Sequence, residues 1–189
     1  MDYDVIIIGS GAAGLSAAIY LARAEVKTLV VGDPKTSQLH SAYEVENYFG
    51  FPDSISGREL LKIGKKHAEK CGAHVMESRA VNISEESGKF YVKLESLQKH
   101  SAKYLIIASG MLASLDFAKS LNLKMQGKKL INVDLENRTS HNRVYAAGNC
   151  STSTRQIAKD VGDGCNAAIN IIKKIKNQPN YTDYGPLEG

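Results

Sequence analysis

The sequence predicts an α/β fold with a central parallel sheet, a three-stranded β-meander and flanking helices. Three observations carry that expectation. After Asp4, residues 5–8 are an apolar run without helical period, as in a strand buried on both faces. A Gly-rich turn and an Ala-rich, Pro-free stretch follow it directly, and two later apolar runs also end in small-residue turns, at Gly110 and Gly148.

The first strand leads into Gly9, Ser10, Gly11, Ala12, Ala13 and Gly14, a GxGxxG turn that opens a helix running to Arg23. Residues 28–31 are a second strand and complete a Rossmann-like βαβ unit. In that setting Gly9 permits the tight turn, Gly11 the approach of a pyrophosphate, and Gly14 close packing of helix on strand, with phosphate charge meeting the free N–H groups of the helix start. The implied ligand is a dinucleotide. Asp33 lies about 20 residues further on, where an acid accepts hydrogen bonds from the adenosine ribose. Its position between Gly32 and Pro34 also suits a residue that shapes a turn.

Residues 33–56 are polar, aromatic and Gly/Pro-containing without a period, a long loop of the kind that serves binding. Residues 57–71 read as an amphipathic helix, with Leu60, Leu61, Ile63, Gly64 and Ala68 inward and Arg58, Lys62, Lys65, Lys66 and Lys70 outward. From residue 74 the period turns to alternation. Runs at 74–76, 81–83 and 90–94 give the three-stranded meander, which returns to the central sheet through residues 104–108. Residues 111–129 have the weakest pattern, with a short helical turn near 115–121. Short strands at 130–133 and 144–147, a long helix at 157–176 and a tail at 177–189 carrying Tyr181 and Tyr184 complete the chain. Lysines at 173, 174 and 176 suit the negative end of the last helix dipole.

A chain of 189 residues suits a single well-buried domain. Its net charge of +4 is spread over scattered lysines without an aromatic-interleaved basic patch, which argues against a nucleic-acid partner. Cys71, Cys150 and Cys165 lie far apart and form no CxxC pair, which argues against a disulfide framework, a zinc site and an internal dithiol relay. Acids near the start and an apolar run too short for a bilayer argue against a signal peptide and a membrane span. A soluble, cytoplasmic protein is expected.

The ordered motifs resemble the FAD-binding domain of the thioredoxin reductase family. They are residues 9–15, Gln38-Leu39, Val45-Glu46-Asn47-Tyr48 with Gly50-Phe51-Pro52, Ile55-Ser56-Gly57, Ala108-Ser109-Gly110, Arg138-Thr139-Ser140, Tyr145-Ala146-Ala147-Gly148-Asn149 and Arg155-Gln156. The resemblance implies that residues 1–189 form one FAD-binding domain and that Gly9 through Gly14 hold the FAD pyrophosphate. It puts Gly32 or Asp33 by the adenosine ribose and Gln38, Leu39 and Asn47 by the flavin. The backbone near Ala80 would face the adenine, Ala108, Ser109 and Gly110 the adenosine half, and Gly148 and Asn149 the ribityl chain. Arg155, Gln156 and Ile157 would close on the isoalloxazine. The family also implies dimer contacts through this domain, to which Tyr43, Tyr48 and Phe49 would contribute.

The departures from the family pattern matter as much. Family members insert an NADPH domain with a CxxC where this chain has only residues 111–129, too few for a βαβ unit. Thr36-Ser37 replace the usual Gly-Gly, and Gly148-Asn149 the usual Gly-Asp. The reading is a thioredoxin reductase-like oxidoreductase that takes electrons from a partner protein or small reductant. The alternative is a non-catalytic FAD-binding protein or the FAD subunit of a heteromeric reductase. His40 is a candidate proton relay and Cys150 a candidate redox thiol; a solvated histidine and a core cysteine are the simpler expectations.

Overall fold

The computed structural model describes residues 1–111, 115–127 and 129–183. Strand β1 (Asp2–Ile8) pairs in parallel with β2 (Thr28–Val31) on one edge and with β6 (Lys99–Ile107) on the other. β3 (His74–Met76) adds in parallel outside β2. Along its remaining edge β6 is shared: its first half pairs antiparallel with β5 (Lys89–Leu94), and its second half pairs in parallel with β9 (Val144–Ala146). β4 (Ala80–Glu86) closes the far side of β5, giving the order β3-β2-β1-β6-β5-β4 with β9 beside β6.

The membership of the meander therefore differs from the sequence expectation. Its strands are β4, β5 and the first half of β6, while the run at 74–76 is the parallel edge of the central sheet. β6 is also longer than the apolar run at 104–108, because Lys99 and Lys103 alternate with the buried His100 and Ala102. The run at 130–133 leaves the main sheet altogether. Only Leu130–Ile131 is a strand, β8, in a small ribbon with β7 (Met125–Gln126).

Helices α1 (Ala12–Arg23), α2 (Gly57–Lys70) and α3 (Ile157–Lys176) cover one face, where Val5, Ile7, Val30 and Ile106 meet Ala17, Leu21, Leu61, Ala68, Ala168 and Ile171. Small residues let α1 and α3 touch: a Cβ at Gly164 would sit 2.1 Å from the Ala13 carbonyl oxygen. Ser16 Oγ also donates to the Val161 carbonyl at 2.8 Å. The opposite face of β1, β2 and β6 packs in a second cluster with Ile83, Phe90, Val92 and Leu94 of the meander and with Phe117 and Leu121 of a 3₁₀ turn, Asp116–Leu121. α2 buries Leu61 and Ala68 as expected, but Ile63 is exposed. In the tail Tyr181 packs against the first cluster and Asp183 accepts from Arg23 Nε at 2.9 Å; Tyr184 lies outside the described residues.

Candidate functional site

Parallel register brings several strand ends to one level. Ile8 is opposite both Val31 and Ile107, and Ile107 is opposite Ala146. Backbone bonds continue the row into the turns: Gly9 N–H to Val31 O at 2.7 Å, Ala108 N–H to Ile8 O at 2.7 Å and Ala147 N–H to Ile107 O at 3.0 Å. The three small-residue turns thus meet at the carboxyl edge of the sheet, where open α/β sheets bind ligands.

A cleft of about 340 Å³ opens there. Its walls come from the glycine turn, the stretch from Gly32 through Leu39, the turn after β6 and the start of α3. Of the residues expected at the site, Gly9, Ser10, Gly11, Ala12, Ala13, Gly32, Asp33, Gln38, Leu39, Ala108, Ser109, Gly110, Asn149 and Ile157 line it. Gly14 and Gly148 stand behind that wall. Ala80 packs instead against the second core cluster, and its neighbour Arg79 faces the cleft. Asn47 and Gln156 meet further out, where Asn47 Nδ2 donates to Gln156 Oε1 at 3.1 Å. Arg155 is exposed and donates to Met111 Sδ at 3.2 Å. His40 lies in a 3₁₀ turn, Gln38–Ser41, but does not line the cleft.

The glycines of the opening turn have separable reasons. Gly9 has φ of +119°, and a Cβ there would sit 2.1 Å from the Ala108 carbonyl oxygen; a Cβ at Gly14 would sit 1.9 Å from the Gly9 carbonyl oxygen. Both are fixed by the fold. Gly11 is different: φ of −78° is open to any residue, and its Cβ would meet only Ser37 Oγ, at 3.4 Å. Gly11 is also the N-cap of α1 without a side-chain cap. The first N–H groups of α1 therefore face the cleft free for an anion.

The other charged and polar groups are placed as follows. Asp33 Oδ1 accepts from Lys35 N–H at 2.9 Å, so Asp33 both shapes its turn and faces the cleft. Asn149 Nδ2 reaches Gln38 Oε1 at 3.5 Å, bridging two expected flavin-side residues. Among the described residues, three oxygens of the cleft lining are buried without a hydrogen-bond partner: Ser109 Oγ, Asn149 Oδ1 and Asp160 Oδ1. Buried polar atoms are ordinarily paired, so each of these oxygens stands out.

In the sequence Asp160 reads only as an acid in the first turn of α3, a favourable partner for the helix dipole. Burial pushes its pKa up to about 6, reinforced by the charge of Asp163 and opposed by that of Lys159. Asp163 is itself committed, ion-paired with Lys159 and accepting from Gly148 N–H at 3.3 Å. Cys150 lies beneath the cleft. It is fully buried, its Sγ donates to the carbonyls of Ile107 and Ala147 at 3.1 and 3.4 Å, and burial pushes its pKa to about 12. It is a packed core thiol, unfit as a nucleophile near neutral pH.

Beside the cleft runs a second, apolar groove of about 490 Å³ between α1, α2 and the residue 48–51 loop. Leu15, Ile19, Leu60, Ile63 and Phe51 line it, and Leu39 borders both sites.

Comparison with known proteins agrees with this geometry. The family described as "Pyridine nucleotide-disulphide oxidoreductase" matches residues 53–168, and "FAD binding domain" matches residues 4–43. The chain is 36% identical over 131 residues to a thioredoxin reductase of Pneumocystis carinii, covering 65% of this chain and 39% of that protein. It is 40% identical over 109 residues to one of Aquifex aeolicus, covering 57% and 34%. The chain thus spans well under half the length of these relatives. Among solved structures, a thioredoxin reductase from Gloeobacter violaceus superposes with a TM-score of 0.92 at 17% identity, covering 97% of this chain and 99% of that one, a likeness of fold.

Proposed function

Because the chain belongs to the pyridine nucleotide-disulphide oxidoreductase family, with FAD as its cofactor, we propose that it is an FAD-dependent electron carrier that receives electrons from a protein partner or a small reductant. The residues present suit FAD. A Cβ at Gly11 would meet only Ser37 Oγ, at 3.4 Å, and Ser109, Asn149 and Asp160, each with a buried oxygen that has no hydrogen-bond partner among the described residues, line the same cleft.

Bound FAD would supply reversible hydride or electron exchange. The protein's share is binding and orientation. The α1 N-terminus and the Gly9–Gly14 turn would hold the pyrophosphate, and Asp33 the adenosine ribose. Asn149 and Gln38 would bracket the ribityl-to-flavin end, and the N-terminus of α3 would favour negative charge on the ring's pyrimidine side. Thr36 and Ser37 put hydroxyls and a methyl group where the family has bare backbone, narrowing the approach to the ring.

The observation that carries the electron-donor reading is internal to the chain. Only residues 111–129, which include the 3₁₀ turn Asp116–Leu121 and β7, separate the turn after β6 from β8, too few for a second dinucleotide-binding unit at that place. The three cysteines are free, and Cys150 is sealed in the core. Anaerobic mixing with NADPH tests the reading: the flavin stays oxidised with NADPH and bleaches with dithionite or free reduced flavin. Prompt bleaching by NADPH would overturn it.

The apolar groove supports a homodimer formed through this domain, since Ile63 and the aromatic loop leave α2 with an uncovered apolar edge. Light scattering of the purified chain checks this; a partner subunit that co-purifies in the groove would favour the heteromeric reading. Three free thiols support a reducing, cytoplasmic setting. No described helix is long and apolar enough to cross a membrane.

A further inference from the structure

The cleft contains a feature that a phosphate-binding site does not call for: a carboxyl group facing the same space as the glycine turn. Asp160 lies in the first turn of α3 and lines the cleft with Gly9, Gly11 and Ala13. Its Oδ1 is buried and has no hydrogen-bond partner among the described residues. It sits over Gly148, where an added Cβ would be 3.1 Å from Asp160 Oδ1 and 3.0 Å from Ala13 Cβ. The carboxyl is thus wedged between the turn after β9 and the N-terminus of α1, which places it beside the pyrophosphate position.

We infer that Asp160 enters the cofactor complex as a neutral carboxylic acid, donating a hydrogen bond from its O–H to a phosphate oxygen of FAD, so that its ionisation weakens cofactor binding. As a carboxylate it would add a negative charge beside an anionic pyrophosphate and leave no donor. As an acid it carries a donor for one of the ligand's oxygens.

The charged surroundings agree. Asp163, on the same helix face, raises the proton affinity of Asp160, and Lys159 opposes it. Lys159 is drawn off by its ion pair with Asp163, itself held by Gly148 N–H. Cys150, in the turn packed against Asp160, is a neutral thiol at these pH values, with its own pKa raised in part by the Asp160 charge. α1 presents Ala12 and Ala13, without charge, and across the cleft stand Asp33 and Arg79. Burial already raises the Asp160 pKa to about 6 without ligand, and a neighbouring phosphate raises it further. Protonation of Asp160 is therefore easier in the complex than in the free protein.

The inference rests on the cleft being the FAD site, and one titration series separates the two. Apoprotein is titrated with FAD, followed by flavin fluorescence, between about pH 5 and about pH 8, on either side of the free-state value. For the unaltered protein Kd rises roughly tenfold across the range, close to the limiting change for a one-unit higher Asp160 pKa in the complex. In Asp160→Asn, which keeps a donor and loses the charge, the profile is flat and the alkaline Kd is as tight as, or tighter than, that of the unaltered protein. Asp160→Ser, smaller and neutral, is flat as well and guards against a packing fault in the first variant. A flat profile in the unaltered protein, or a slope that survives in both variants, would overturn the role of Asp160 while leaving the FAD site intact. Absence of FAD binding at every pH would overturn both.

Discussion

Replacing Gly11 by alanine separates a glycine kept for the cofactor from one kept for the fold. The new methyl would meet only Ser37 Oγ, at 3.4 Å, and the extended backbone there, φ −78° and ψ −172°, accepts any residue. Two terms oppose in the apoprotein. Less freedom in the unfolded chain favours alanine by about 0.4–1 kcal/mol, and a poorer N-cap disfavours it by up to about 1 kcal/mol. Fold stability should therefore move by no more than about 1 kcal/mol. In the complex the methyl would stand between a phosphate and the helix N–H groups. Losing one hydrogen bond to a charged group costs about 1.5–3 kcal/mol, which is a Kd roughly ten- to a hundredfold weaker. Gly14→Ala should do the reverse: its Cβ, 1.9 Å from the Gly9 carbonyl oxygen, pushes α1 off β1 and costs the fold about 1–3 kcal/mol or more. Urea unfolding of the apoproteins and FAD titration give the two readings. A Gly11→Ala protein that binds FAD as tightly as the unaltered one would refute the reasoning.

Other outcomes follow from burial. Because the Asp160 pKa is raised in the folded state, the fold loses stability as pH rises from the unfolded value near 3.8 through about 6 and keeps that deficit above it. In urea at about pH 7.5, Asp160→Asn apoprotein should be more stable by roughly 1–2 kcal/mol, after allowance for solvent screening of this partly exposed group. His100 is the opposite case. It is buried edge-on to Tyr3, and burial holds its pKa below the ordinary 6.5. Its contribution is intact above pH 6.5 and lost as pH falls below it, so His100→Phe should flatten the acid side of the stability profile, as read by urea midpoints at about pH 5 and 7. A thiol reagent should label Cys71 and Cys165 in the native protein and reach Cys150 only on unfolding, a difference that peptide mapping after timed labelling would show.

How far the fold could be read in advance depended on whether a signal was local. The β1 run, the GxGxxG turn and the bounds of α3 follow from contiguous sequence, and the structure has α3 at Ile157–Lys176. The three turns at Gly9, Gly110 and Gly148 could be foreseen as one edge because apolar parallel strands share a direction. Pairing partners could not: three residues at 74–76 carry too little pattern to distinguish a meander strand from a parallel edge beside β2, and that choice is decided by contacts distant in sequence. The first half of β6 was hidden by Lys99 and Lys103, whose outward side chains mask the strand. At the site, the backbone-driven positions were legible from glycines. Asp160 and Arg79 were not, since an acid in a first helical turn and an arginine between strands each have an ordinary surface explanation. Only the burial of Asp160 Oδ1 makes that residue unusual.

These residues are proposed to build one dinucleotide site that takes FAD. Calorimetric titration of the apoprotein with FAD and then with NADPH tests it most directly. Saturation at one FAD per chain, no heat from NADPH, and loss of FAD affinity in Gly11→Ala are expected. Binding of NADPH in competition with FAD, or FAD binding untouched by Gly11→Ala, would contradict it.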